Sequence, residues 1–133
     1  MSVLPRPGGA LARSGALGVV ALVATASLMP NVSVPDSAPG HTDLAIHLAM
    51  QGALGFALVW AWPRQLVLVG AALAILVVGL EMGQIWIPGR GFAWTDLVTN
   101  VLGGGLGALL AFRSGRPRMR LRTGMESGDS VSE

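Results

Sequence analysis

The chain has 133 residues, of which 52% are hydrophobic and 12% charged, with a formal net charge of +2 and no cysteine. The charged share is roughly half that of an ordinary soluble domain, and a protein this small cannot hide so much apolar surface from water, so lipid is the expected solvent. The missing cysteines exclude disulfides, thiolate nucleophiles and Cys-based metal sites.

Four apolar segments follow one another. The first runs from about Ala16 to Met29 and stops at Pro30. It is short for a span, Arg6 and Arg13 precede it, and Ala24-Thr25-Ala26 resembles a signal-peptidase site. Two readings stay open, a retained helix and a cleaved signal peptide. Residues 30–43 form a polar loop with Asp36, His41 and Asp43, in which Asn31-Val32-Ser33 matches a glycosylation sequon by chance. The second segment runs from about Leu44 to Trp62 and the third from Gln65 to Ile87, each ending at a proline; the fourth runs from about Leu97 to Phe112. A span needs about 20 mostly apolar residues. The third meets that outright, and the second and fourth do so once a polar residue or two is tolerated at one end. Residues 1–112 therefore read as a single transmembrane domain, and 113–133 as a basic, then disordered, cytoplasmic tail.

All nine cations are arginine, and the pI is about 11.1. Five of them (Arg113, Arg116, Arg118, Arg120 and Arg122) lie just beyond the last apolar run, with no aromatics beside them to stack on bases. They read as a topology anchor, and no nucleic-acid partner is expected. The positive-inside rule then puts both termini and the Trp62-Pro63-Arg64 turn in the cytoplasm, with residues 30–43 and 88–96 outside. Arg90 is the one arginine on the outer side. The expected fold is an all-α, membrane-spanning bundle of four transmembrane helices in a bacterial-type inner membrane, consecutive helices being antiparallel. Trp86 and Trp94 at the outer loop, and Trp60 and Trp62 at the inner turn, match aromatic belts.

Ionisable groups inside spans are expensive and need a reason. Glu81 lies six residues before Ile87, roughly 9 Å below the end of that segment. Gln84 follows at i+3 on the same helical face. Asp43 and His47 stand at i and i+4 at the start of the second segment, and Asp96 and Asn100 repeat that spacing at the fourth. With Arg90 these make seven polar groups in one outer layer. Each also has a structural reading. Asp43 and Asp96 suit helix N-termini; His47, Gln84 and Asn100 suit hydrogen bonds between helices; Glu81 and Arg90 suit an ion pair. Gln51, one turn below His47, either extends the polar layer inward or bonds a backbone carbonyl. Gly103 and Gly107 continue the face of Asp96 and Asn100, and Gly79 and Gly83 have the same spacing in the third segment. Small residues let helices approach closely in lipid, so the third and fourth helices are expected to pack through these glycines.

Glu81-x-x-Gln84, Pro88-Gly89-Arg90 and Asp96-x-x-x-Asn100-x-x-Gly103-x-x-x-Gly107, with Asp43-x-x-x-His47 upstream, resemble the VanZ-like family of small membrane proteins over roughly residues 30–112. The resemblance implies four or five membrane helices. It also implies a connection with glycopeptide sensitivity, since the founding member is associated with low-level teicoplanin resistance. Two positions depart from the family pattern: Leu44 stands where a Lys is usual, and Gln51 where an aromatic residue is common.

Three function classes follow. In the first, His47, Asp43 and Glu81 supply acid–base chemistry, and Gln84, Arg90, Asp96 and Asn100 shape a pocket for a lipid-linked or phosphorylated envelope component. Arg90 in particular suits an anion. In the second, the same cluster only holds helices together in a non-enzymatic module, with membrane lipid as the partner. A transporter ranks last, because the inner half of every span lacks ionisable residues and no inverted repeat is present. No metal spacing, phosphate-cradling loop or nucleophile elbow occurs, so neither metal nor cofactor is expected.

Overall fold

A computed structural model describes residues 5–29, 42–88 and 91–115. The loop before the second helix, Gly89, Arg90 and the tail from residue 116 lie outside the described residues, and so does the side chain of Asp43. The expected sequon and most of the arginine anchor fall there. Among the described residues all regular structure is helical: α1 (Ala10–Leu28), α2 (Thr42–Ala61), α3 (Leu66–Gln84) and α4 (Trp94–Gly115). At 1.5 Å per residue these helices are about 28–33 Å long, enough to cross a hydrocarbon core. Each is long and apolar enough to do so.

The helix boundaries move from the apolar runs for local reasons. α1 begins at Ala10, because Gly8 turns the chain with φ of 74° and Gly9 is the extended residue before the helix. Arg13 is thereby inside the helix, exposed on its first turns. α3 ends at Gln84 instead of Ile87. Residues 85–88 form a turn, with N–H groups of Ile85, Trp86 and Ile87 bonded to carbonyls three residues back. Glu81 is therefore about one turn, roughly 4.5 Å, from the helix end. α4 starts at Trp94 and runs past Phe112 to Gly115.

The outer faces match a lipid solvent: Val67 is 86% exposed, Leu11 73% and Ile75 72%. Inside, Val23 of α1, Leu54, Leu58 and Val59 of α2, Val69 and Leu80 of α3 and Ala111 of α4 form the buried cluster. All four helices contribute to it, so α1 is a layer of the bundle.

α2 and α4 form by far the most extensive contact of any helix pair. A methyl group on Gly107 would collide with the Gly52 carbonyl, and one on Gly55 with the Gly104 carbonyl; one on Gly103 would stand 2.5 Å from the Leu48 carbonyl oxygen. This corrects the expected pairing of α3 with α4 through their glycines. Gly103 and Gly107 press on α2. Gly79 has nothing within 4 Å of a would-be Cβ, and Gly83 faces the Leu28 side chain of α1 at 3.0 Å. α3 meets α4 through a side chain, Leu73 lying over Gly104. Two small-residue surfaces in register allow backbone to meet backbone, and α3 offers no such surface to α4.

The end of the bundle away from the α3–α4 connection is closed by the N-terminal segment. The Gly8 N–H donates to the Trp60 carbonyl at 2.9 Å, and the Trp60 indole N–H donates to the Pro5 carbonyl at 2.8 Å. Trp60 also stacks on Phe56, with ring centroids 5.5 Å apart. Its indole N–H is thus turned onto a backbone carbonyl and not toward a headgroup. Trp86 and Trp94, at the other end, are 86% and 72% exposed.

Candidate functional site

The N-terminal ends of α2 and α4 and the C-terminal end of α3 lie together, so residues near those ends share a layer. His47 is in the second turn of α2, Glu81 in the last turn of α3, and Asn100 in the second turn of α4. Glu81 is fully buried, Asn100 is 2% exposed, and His47 is half-buried.

Two hydrogen bonds join them, and a third ties Glu81 to the start of α4. The His47 Nδ1 lies 3.1 Å from the Asn100 Oδ1. The Asn100 Nδ2 donates to the Glu81 Oε2 at 3.4 Å. The Ala93 N–H donates to the Glu81 Oε1 at 3.1 Å. The last bond explains how a carboxylate is held in this position. A carboxyl group in the final turn of a helix is poorly placed for that helix's dipole if it ionises. Ala93, however, is the residue before α4, and its carbonyl accepts the first bond of that helix from Leu97. Alanine has no side chain with which to cap the exposed N–H groups of the first turn. Glu81 supplies the acceptor from the neighbouring helix, and the positive end of α4 compensates what α3 disfavours.

The remaining predicted residues divide. Gln84 is buried at 4% exposure one turn beyond Glu81, and no described hydrogen bond joins it to the three. Asp96 is half-buried in the first turn of α4, accepting from the Thr95 hydroxyl at 3.3 Å. Asp43 is in the first turn of α2, and Arg90 lies outside the described residues. Gln51, one turn along α2 from His47, is 2% exposed, and its Oε1 has no hydrogen-bond partner among the described residues. Sequence reasoning missed Ala93, whose contribution is a backbone group. The available signal was an uncapped helix start downstream of a buried acid.

Two described cavities are lined by none of the three. One, of about 160 Å³, is lined by Pro7, Trp60, Pro63 and Phe112 at the opposite end. The other is an apolar groove along the α2–α4 contact, bordered by Ala45, Ala49, Phe56 and Leu110.

Acidic and amide groups gathered at one end of four apolar helices accord with a comparison against family models. The VanZ/LLP1 family model matches residues 15–115. The chain belongs to the VanZ/LLP1 family. The match begins within α1 and ends with α4, so the family unit covers all four helices, a wider span than residues 30–112. This VanZ-like chain is accordingly a multi-pass membrane protein. No curated protein and no solved structure matches it.

Proposed function

We propose that this VanZ-like protein sits in the bacterial cytoplasmic membrane with both termini in the cytoplasm. Its polar end then forms a pocket at the extracytoplasmic face that binds or processes a lipid-linked or phosphorylated envelope component. The observation that carries this reading is the hydrogen-bonded chain from His47 through Asn100 to the buried Glu81. A titratable imidazole backed by a buried carboxylate suits proton transfer or recognition of an anionic group. The orientation is supported by charge: Arg6, Arg64 and Arg113 all stand at the opposite end of the bundle, outside or at the ends of the helices. Asp43, Gln84, Asp96 and Arg90 complete the proposed pocket, with Arg90 as the anion-binding group. An effect on glycopeptide sensitivity follows if the bound component belongs to cell-wall synthesis.

The test is a thermal-shift and binding screen of the purified full chain against lipid-linked wall precursors and their phosphorylated carriers. Saturable stabilisation that disappears in His47→Ala and Arg90→Ala supports the reading. No response to any precursor, with the wild-type chain folded, overturns it.

A second reading has its own observation. Glu81 satisfies the Ala93 N–H at the start of α4, which is a structural task. If the cluster only holds helices in register, alanine at His47 or Asn100 lowers abundance and melting temperature in step with any phenotype. Measuring protein level beside phenotype separates the two.

A further inference from the structure

We infer that Glu81 and Asn100 are positioning residues that hold His47 in one tautomer, with its proton on Nδ1, so that Nε2 is the ring's basic nitrogen. This rests on the proposed pocket for its use but not for its support, which is the geometry of three hydrogen bonds, two of them with a fixed donor.

The argument starts at the far end of the chain. A backbone N–H can only donate, so the Ala93 N–H makes Glu81 Oε1 an acceptor. The Asn100 Nδ2 donates to Oε2, so that oxygen is an acceptor as well. That orients the amide: Nδ2 points to Glu81, and Oδ1 points to His47. An amide oxygen can only accept, so the His47 Nδ1 at 3.1 Å must carry a hydrogen. In the neutral ring the other nitrogen then holds the lone pair, because the tautomer is set by whichever bond the first nitrogen makes. A carboxylate on α3 thus decides, through an amide on α4, which nitrogen of an imidazole on α2 is basic. Glu81 and Asn100 are both buried, and so is the bond between them, where water does not compete.

The same logic predicts the effect of an isosteric change that touches nothing at His47. In Glu81→Gln, the oxygen must stay on the Ala93 N–H, so the new amide nitrogen faces Asn100. Asn100 must then turn its oxygen to Gln and present Nδ2 to the ring. Nδ1 becomes the acceptor, and the proton moves to Nε2.

The chain carries only two histidines, His41 and His47, so nitrogen NMR of the full-length protein in nanodiscs reads the ring directly. His41→Gln assigns the signals. At a pH where the ring is neutral, wild type should show the protonated, pyrrole-like nitrogen signal at Nδ1 and the pyridine-like signal at Nε2. Glu81→Gln should exchange the two. Asn100→Leu, which breaks the relay, should uncouple the ring from residue 81, so that Glu81→Gln added to it no longer changes the ring signals. A wild-type spectrum with the proton on Nε2, or a Glu81→Gln spectrum unchanged from wild type, overturns the inference. The wild-type spectrum decides even if a variant fails to fold. No ligand is present in these samples. A fixed tautomer with a null precursor screen removes the proposed function and leaves this inference; precursor binding by a protein with an averaged ring does the reverse.

Discussion

α3 and α4 carry the same small-residue signature and use it in opposite ways. Gly103, Gly104 and Gly107 of α4 are buried, with backbone or side chain of a neighbour where a Cβ would go. Gly79 of α3 is exposed and meets none of the described residues. The difference lies in the partner. α2 presents Gly52 and Gly55 in register with α4, so two bare backbones can touch. α3 approaches α4 with leucine, which holds the axes apart. A GxxxG spacing therefore marks a surface capable of close approach, and a second such surface decides whether the approach occurs. The polar chemistry follows the same division. α2 and α4, locked together, hold His47 and Asn100 at 3.1 Å, and α3, packed by side chains, brings in Glu81.

Four substitutions bear on this contrast. Gly107→Leu should have the largest effect. Its side chain has no room against the Gly52 carbonyl, and overpacking of this kind costs about 3 kcal/mol. Thermal melting in detergent should show a large loss of stability, and membrane abundance should fall with it. Gly105→Leu, on the same helix with nothing within 4 Å of its Cβ, is the control. Equal melting of the two variants would break the account of α2–α4 packing.

Glu81→Leu comes next. It leaves the Ala93 N–H and the Asn100 Nδ2 without their acceptor, and a buried unsatisfied donor costs about 1–3 kcal/mol. A loss of about 2 kcal/mol is expected, with faster hydrogen exchange at the start of α4. Stability unchanged, with exchange unchanged at Ala93, would mean that α4 does not depend on α3 for its first turn.

Gln51→Leu should act in the other direction. Gln51 neighbours the glycine contact in α2, and its Oε1 is buried without a donor among the described residues. Replacing an unsatisfied polar group by an apolar one of similar size should raise stability by about 1 kcal/mol, read as a higher melting temperature of the purified protein. A drop would show that the amide is used in the folded protein and that the α2 face below His47 is polar by design.

Much of this was legible beforehand. Apolar runs broken at Pro30, Pro63 and Pro88 locate four helices, since proline cannot continue a helix interior. Alternating direction then puts the ends bearing His47, Glu81 and Asn100 in one layer. Three features were not legible. The helix that Gly103 and Gly107 choose depends on three-dimensional register, which a one-dimensional spacing does not encode. The end of α3 at Gln84 comes from a turn made by apolar residues, Ile85 to Ile87, that look helical by composition. Ala93 acts through its backbone, so its own residue type does not mark it; only the missing cap at the start of α4 hints that an outside acceptor is needed.

The smallest expected effect is the other half of the opening contrast. Gly79→Leu places a side chain on an exposed part of α3 with no described atom within 4 Å of its would-be Cβ. Glycine inside a helix is disfavoured relative to other residues by roughly 0.5–1 kcal/mol in water, and a leucine among acyl chains loses no solvation it had before. Stability should therefore stay within about 0.5 kcal/mol of wild type or rise slightly. The informative readout is the ring of His47 as well as the melt. If Gly79 rests against a neighbouring subunit in the membrane, leucine there would shift α3, weaken the Glu81 bonds and alter the imidazole signals. An unchanged melt with unchanged signals fixes Gly79 as lipid-facing, and leaves the contrast between the two glycine pairs resting on α2 alone.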